Sequence, residues 1–184
     1  MRIGGGEFRG RILKGPPGLK TRPTRARLKK SLFDVLSRAV AGTRVLDLYA
    51  GAGALGLEAL SRGAAMAVFV ERRRQAAAAI RDNVEAFGLT EQALLVVKDV
   101  WSALPRLATD LEHFDIIFAD PPYHSSESEK LLRFLGEEAL LAPAGIVVIE
   151  HHHKNELDSG YGRLERSREL KAGESRLTFY VPTC

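Results

Sequence analysis

The stretch FADPPYHSS, Phe118 to Ser126, sets a carboxylate directly after an apolar run and follows it with two prolines and an aromatic ring. Ile116 to Ala119 have the apolar continuity of a buried strand. That puts Asp120 at a strand's carboxyl end, with Pro121, Pro122 and Tyr123 in the turn leaving it. Neither proline has an N–H, so the turn offers carbonyl acceptors beside the Asp120 carboxylate and no donor at those two positions. Such a site takes two hydrogen bonds from one NH₂ group, which suits methyl transfer to an exocyclic amine of a nucleobase. The lone pair of such an amine is delocalised into the ring. Two acceptors draw the nitrogen toward tetrahedral geometry, aim the lone pair at the incoming carbon and stabilise the positive charge that develops. Tyr123 adds a ring on which an extruded base can stack. A proline turn capped by an acid is the plainer account, but it gives no reason for the acid's place at a strand end.

Upstream, VLDLYAGAGALGLEAL, Val45 to Leu60, holds G-x-G-x-x-G in Gly51, Gly53 and Gly56, between an expected strand and an expected helix. Without side chains at Gly51 and Gly53 the backbone can approach a ligand closely. Glu71 follows at the end of the next strand, where an acid accepts hydrogen bonds from both ribose hydroxyls. By these features NAD and S-adenosylmethionine fit equally, and a ligand-free turn has the same pattern. Asp47 weighs against a pyrophosphate, because a carboxylate aimed at the loop repels phosphates and suits the ammonium of an amino-acid moiety. It could equally pair with Arg44 or cap a turn. Gly56 then becomes a close-packing residue in the helix's first turn. Asp99, ending a third strand, would accept from an adenine amino group, or else cap the helix beginning near Trp101.

These residues need a scaffold that gathers strand ends. From Arg44 the chain alternates: strand RVLDLY, helix ALGLEALSRG, strand MAVFVE, helix RRRQAAAAIRDNVEAFG, strand ALLVVKD, short helix WSALPRLA, strand FDIIFAD, helix SESEKLLRFLGEEAL, strand GIVVIEHH. Strand-like runs around YGRLERSREL and ESRLTFYVP close the chain as a hairpin. Alternation at this spacing implies βαβ units and an α/β fold, its parallel sheet covered on both faces. In such sheets ligands bind beyond the strands' carboxyl ends where strand order reverses, and those ends carry Asp47, Tyr49, Glu71, Asp99, Asp120 and Glu150. Before the sheet, RIGGGEFRGRIL suggests a short hairpin and KGPPGLKTRPT a loop. TRARLKKSLFDVLSRAV places Leu28, Leu32, Phe33, Leu36 and Val40 on one stripe of a helix capped by Thr24.

Charge is uneven along the chain. Residues 1 to 30 hold ten cations (Arg2, Arg9, Arg11, Lys14, Lys20, Arg22, Arg25, Arg27, Lys29 and Lys30) against Glu7, a balance of +9, so the remainder carries −5 of the net +4. So lopsided a segment points to a polyanion, phosphates above all. With 184 residues, 45% of them hydrophobic, one folded, soluble domain over 1–184 is expected, with 1–22 as a basic hairpin and loop and 23–184 as the core. No apolar run is long enough to cross a membrane, and the N-terminus lacks a signal peptide's apolar stretch, so a cytoplasmic protein is expected. Cys184, the one cysteine, supports neither a disulfide framework nor a cysteine zinc site.

The segment DLYAGAGALGLEALSRGA resembles the cofactor motif of Class I S-adenosylmethionine-dependent methyltransferases, and DPPY resembles the catalytic motif of their amino-directed branch. Taken in order, GGEFRGRIL, TRPTRARLKKSLFDVL, DLYAGAGALGLEALSRGA and ADPPY are similar to the bacterial 16S rRNA guanine-N2 methyltransferases of the RsmD type, nearly throughout the chain. The resemblance implies a Rossmann-like, mostly parallel seven-stranded sheet with helices on both faces and a C-terminal antiparallel hairpin. It implies S-adenosylmethionine as cofactor, with Asp47, Tyr49, Gly51 and Gly53 lining its methionine part, Glu71 at the ribose, Asp99 and Val100 at the adenine, and Arg72 also in the cofactor site. Asp120, also at the cofactor's edge, would with Pro121, Pro122 and Tyr123 hold a guanine 2-amino group, the base being guanine 966. The implied partner is 16S rRNA or a 30S assembly particle, gripped by Arg9, Arg11, Arg22, Arg25, Arg27 and Lys29; neither DNA nor membrane is expected, and the enzyme would be a monomer. The segment HHHKNEL departs from the family pattern.

Other residues invite weaker readings. His151 to His153 point to alternate faces of a strand and cannot easily share a tetrahedral metal, so no metal site is expected. His124 could take a proton after transfer, although water suffices for so acidic a product. Trp101 fits packing or the adenine pocket's wall better than base stacking. Three alternatives compete with RNA methylation. DNA adenine methylation would need a target-reading segment for which 184 residues leave no room. An NAD-dependent oxidoreductase rests on the glycines and Glu71 alone, and a silent RNA-binding assembly factor would have no use for Asp120.

Overall fold

The computed structural model describes residues 1–16, 23–110, 113–122 and 126–183. Five strands run parallel: β1 (Arg44–Leu48), β2 (Met66–Val70), β3 (Ala93–Val96), β4 (Phe114–Ala119) and β5 (Leu141–His152). Three antiparallel strands extend the sheet, namely β6 (Gly160–Tyr161), β7 (Leu164–Ala172) and β8 (Ser175–Pro182), in the order β3-β2-β1-β4-β5-β8-β7-β6. Among the described residues the sheet therefore has eight strands where seven were expected, the addition being the two-residue β6, too short to leave a periodic signal. From β1 the chain steps outward through β2 to β3, then returns to β4 on β1's other side. The carboxyl ends of β1 and β4 flank the switch point.

Pleating divides the apolar residues between two cores. Val45, Phe69, Phe118 and Val148 face Leu32 and Phe33 of helix α1 (Pro23–Leu36), Leu57 of α2 (Ala54–Ser61) and Ile80 of α3 (Arg74–Ala86). Leu46, Leu48, Val70, Ile117 and Ile149 face Leu104 of α4 (Val100–Asp110) and Leu131, Leu132 and Leu135 of α5 (Glu127–Glu137). Each large apolar side chain here contributes roughly 1.5–3 kcal/mol by leaving water. Helix α1 starts at Pro23, whose fixed φ suits a first turn, so Thr24 lies inside the helix and is not its cap. It ends at Leu36 and not Val40. Ser37 takes φ 40°, and the chain continues as a 3₁₀ turn over Ser37–Val40.

The expected N-terminal hairpin is a loose one. An Arg2–Ile12 bridge and hydrogen bonds from Ile3 N–H to the Arg11 carbonyl (3.0 Å) and from Leu13 N–H to the Met1 carbonyl (2.8 Å) close it, and Ile3 and Leu13 are buried in the first core. Its anchor is Glu58 of α2. This buried carboxylate accepts from Gly4 N–H (2.8 Å), Lys29 Nζ (2.8 Å) and Arg62 Nε (2.9 Å), and Lys29 also donates to the Arg2 carbonyl. Burial pushes the Glu58 carboxyl up, but Gly4, Lys29 and Arg62 outweigh it and hold the group below its ordinary value.

Glu58→Gln leaves the nearly buried Lys29 cation without its counter-charge and should cost about 3 kcal/mol of unfolding free energy in urea titration at neutral pH. Because the native value is depressed, the stabilisation is complete above the ordinary carboxylate range and is lost as pH falls through the native value. The difference between wild type and variant should therefore shrink in acid.

Candidate active site

The loop between β1 and α2 reverses the chain through left-handed backbone at Tyr49 (φ 56°), Gly51 (φ 58°) and Gly53 (φ 74°). Glycine adopts this freely, whereas Tyr49 does so at a cost of roughly 1–2 kcal/mol. What compensates is a hydrogen bond from Gly56 N–H to Asp47 Oδ2 (2.9 Å), closed over a nearly inaccessible carboxylate. The glycines differ in purpose. A Cβ on Gly56 would overlap the Phe69 ring, as a close-packing role requires. One on Gly53 would press within 3.2 Å of Ile80 and Phe69. Gly51 faces open space, with Arg73 Nη2 the nearest side-chain atom to such a Cβ at 3.9 Å.

Three acids converge on this loop because of strand register. Asp47 pairs with Phe69 on β2 and Phe118 on β4, so Glu71 and Asp120 each lie two residues beyond those partners, one on either side. Burial, opposed by the Gly56 N–H and reinforced by the Asp120 and Glu71 charges, pushes the Asp47 carboxyl up to about 8. Glu71, also buried, accepts from Gly51 N–H (2.7 Å) through one oxygen and from Arg73 N–H (2.8 Å) and Nε (3.1 Å) through the other. Asp99 caps α4 by accepting from Trp101 N–H (3.1 Å), and its second oxygen lies 3.4 Å from Arg72 Nη1. Arg72 thus meets Asp99 and not Glu71. Val100 is buried in the second core, leaving only its backbone for a ligand.

On the other side of the switch point Asp120 is half-buried, Pro121 buried and Pro122 exposed. Tyr123 and His124 lie outside the described residues. Sequence reasoning overlooked Glu127, which opens α5 and gathers both aromatic groups of the cofactor side. Its Oε2 accepts from Tyr49 Oη (3.1 Å) and Trp101 Nε1 (2.7 Å). Burial and the Glu127 charge push the Tyr49 hydroxyl up. Lys130 Nζ lies 4.0 Å from the Trp101 ring centre and Phe134 packs against that ring edge-on, so the structure gives Trp101 the packing role, one of the two expected for it. An acid in the first turn of a surface helix carries no sequence signal for this role.

The cationic residues separate into groups. Arg9 and Arg27 are exposed. Arg11 donates to the Ala86 carbonyl (2.9 Å) at the end of α3 and lies over the Phe87 ring (4.4 Å), which makes it a structural clamp. Lys29 is a correction to the expected phosphate contacts, since its ammonium is neutralised by Glu58 and nearly buried. Arg22 and the Arg25 side chain lie outside the described residues, as does Cys184. His151 is buried, its Nε2 2.8 Å from Thr178 Oγ1, and burial pushes its imidazole down.

Three acids at one sheet edge, Asp47 and Glu71 buried and Asp120 half-buried, fit a cationic ligand and oppose a pyrophosphate. With this strand order and a donor-poor proline turn across the switch point, fold and site together define a Class I S-adenosylmethionine-dependent methyltransferase. The chain belongs to the family described as Conserved hypothetical protein 95, Cons_hypoth95, whose model matches residues 1–181. It is 36% identical over 180 residues to "Putative rRNA methyltransferase YlbH" of Bacillus subtilis (strain 168), covering 98% of each chain. It is 32% identical over 180 residues to "Ribosomal RNA small subunit methyltransferase D" of Escherichia coli (strain K12), covering 98% of this chain and 89% of that one. Among solved structures, the T. thermophilus 16S rRNA N2 G1207 methyltransferase (RsmC), in complex with AdoMet and guanosine, matches with a TM-score of 0.72 at 27% identity, over 91% of this chain and 45% of that one.

Asp47 makes stability depend on pH. Its value is 3.8 when unconstrained and about 8 in the fold, so between these the folded state holds a proton that the unfolded state has lost, and this group's contribution to stability falls as pH rises. Asp47→Asn keeps an oxygen for the Gly56 N–H and cannot ionise. Its Tm relative to wild type should climb from about pH 4 to about pH 8 and level off above, in thermal denaturation across that range. A constant difference would mean that Asp47 ionises in the fold without penalty.

Proposed function

We propose that this protein transfers a methyl group from S-adenosylmethionine to the exocyclic 2-amino group of a guanine in small-subunit rRNA, acting as a cytoplasmic monomer on guanine 966 within a 30S assembly particle. The observation that carries this reading is Asp120 and its donor-free proline turn, set across the switch point from the acid-lined glycine loop. Asp47 and Tyr49 would hold the methionine part of the cofactor. Glu71 would accept from the ribose in place of the Arg73 side chain, and Asp99 would take the adenine amino group through the oxygen not used in capping α4. When bound, S-adenosylmethionine supplies an electrophilic methyl carbon. The Asp120 carboxylate and the Pro121 carbonyl accept the two amine hydrogens, turning the nitrogen lone pair away from the purine ring and toward that carbon. Asp120 then stabilises the charge developing on nitrogen, and the surplus proton leaves to water. Tyr123, next in the chain after Pro122, is the stacking surface for the extruded base.

Asp120→Ala should lower methyl transfer to small-subunit particles by about 100-fold to 1000-fold, the range for removing a group that stabilises transition-state charge. Binding of S-adenosylhomocysteine in calorimetry should fall far less than transfer does. Undiminished transfer would remove Asp120 from the chemistry. Primer-extension mapping of the base that loses its methyl group when the gene is deleted tests the position.

Arg9→Ala and Arg27→Ala should each reduce the slope of log affinity for rRNA against log salt by about 1 if each removes one phosphate contact. Cofactor affinity should not change. Lys29→Ala should instead lower Tm, because its partner is Glu58.

A further inference from the structure

Glu150 ends the parallel part of the sheet beside Asp120 and has no part in the mechanism above. We infer that Glu150 reads the Watson–Crick edge of the target base, accepting the N1–H of guanine next to the amine held by Asp120, and so excludes adenine. The inference rests on the proposed guanine methylation and adds the residue that selects the base.

Register places it. Ala119 of β4 pairs with Ile149 of β5, so Asp120 and Glu150 are the next residues on adjacent parallel strands, roughly 4.8 Å apart across the sheet. The pleat then orients it. Val147 and Ile149 face the α4–α5 side and His151 is turned toward Thr178, whereas Val148 faces the α1–α3 side; Glu150 alternates onto that second side, as Asp120 does after Ile116 and Phe118. Glu150 also pairs with Leu177 of β8, so it is fixed in the ladder and not on a loose tail, while remaining half-exposed at the strand's end.

The chemistry follows from the base. Guanine presents N1–H and the 2-amino group as adjacent donors, and two neighbouring carboxylates accept both. Adenine presents an unprotonated N1, whose lone pair would face the Glu150 carboxylate with no proton between them. A site built around a hydrogen bond rejects an analogue that cannot make it far more strongly than an apolar pocket rejects a wrong shape.

The test uses reconstituted small-subunit particles carrying either guanine or 2-aminopurine at the methylated position. 2-Aminopurine keeps the 2-amino group and has a bare N1. Wild type should prefer guanine by about 100-fold or more in kcat/KM, and Glu150→Gln, whose amide can donate to N1, should reduce that preference below about tenfold. Binding of S-adenosylhomocysteine should be equal in both proteins. If Glu150→Gln slows both bases in proportion, or if wild type shows no preference, the inference is overturned. Should Glu150→Gln fail to fold, Glu150→Asp takes its place. The shorter acid should lose about tenfold or more on guanine while keeping the preference, and full activity in that variant would also overturn the inference. Failure of wild type to methylate the guanine particles would instead overturn the reading on which this one rests.

Discussion

The hydrogen bond from Gly56 N–H to Asp47 is the constraint on which the carboxyl edge of the sheet depends. A helix leaves its first N–H groups without partners, and Gly53 at the cap position of α2 has no side chain to supply one. Asp47, from the strand before the loop, supplies an oxygen from beneath. This closes the turn over buried carboxylate, holds Tyr49 in left-handed backbone against its steric preference, and leaves Gly51 as a half-buried corner. Burial makes the site resist ionisation of Asp47, whose carboxyl is pushed up to about 8. A cation brought beside Asp47 would favour its ionised form.

Helix α2 is clamped again further along. Glu58 receives Gly4, Lys29 and Arg62, and Ser61 takes the Phe8 N–H on its hydroxyl (3.0 Å) and the Glu7 N–H on its carbonyl (2.7 Å). One eight-residue helix therefore carries the cofactor loop at its start and the N-terminal arm along its length. Arg11 extends the clamp to the end of α3. The arm's position relative to the pocket is set by this short rigid element, and part of its positive charge is consumed in fixing it there.

The sheet and its order of elements were legible because buried parallel strands are short apolar runs separated by amphipathic helices, and Val45, Phe69 and Phe118 belong to such runs. The carboxylates at the strand ends were legible for the same reason, since the end of an apolar run marks the edge where ligands bind. What could not be read were partnerships between distant positions. Lys29 looks like any cation of a basic helix until Glu58, 29 residues away, is brought against it, and Arg11 meets the Ala86 carbonyl across 75 residues. Glu127 gathers Tyr49 and Trp101 from two other elements. Asp99 offered capping and adenine binding equally, and the structure adds that one oxygen caps α4 while the other faces Arg72, a division no pattern encodes. The break at Ser37 is a backbone choice in a sequence whose apolar stripe continues unbroken.

The distribution of charge carries a mechanical consequence. The exposed Arg9 lies on the arm, while Asp47, Glu71 and Asp120 gather at the carboxyl edge of the sheet. Under the proposed function, phosphates would be attracted by the first and repelled by the acids of the second, so a nucleic-acid backbone would keep away from that edge. A base would then reach the edge only by leaving its stack. At the pocket that base meets carboxylates and a turn without amide donors at its two prolines, so it gains most by presenting N–H groups. On that reading, cations outside and acids inside would favour both the extruded geometry and the donor edge of the base, before any contact specific to guanine is made.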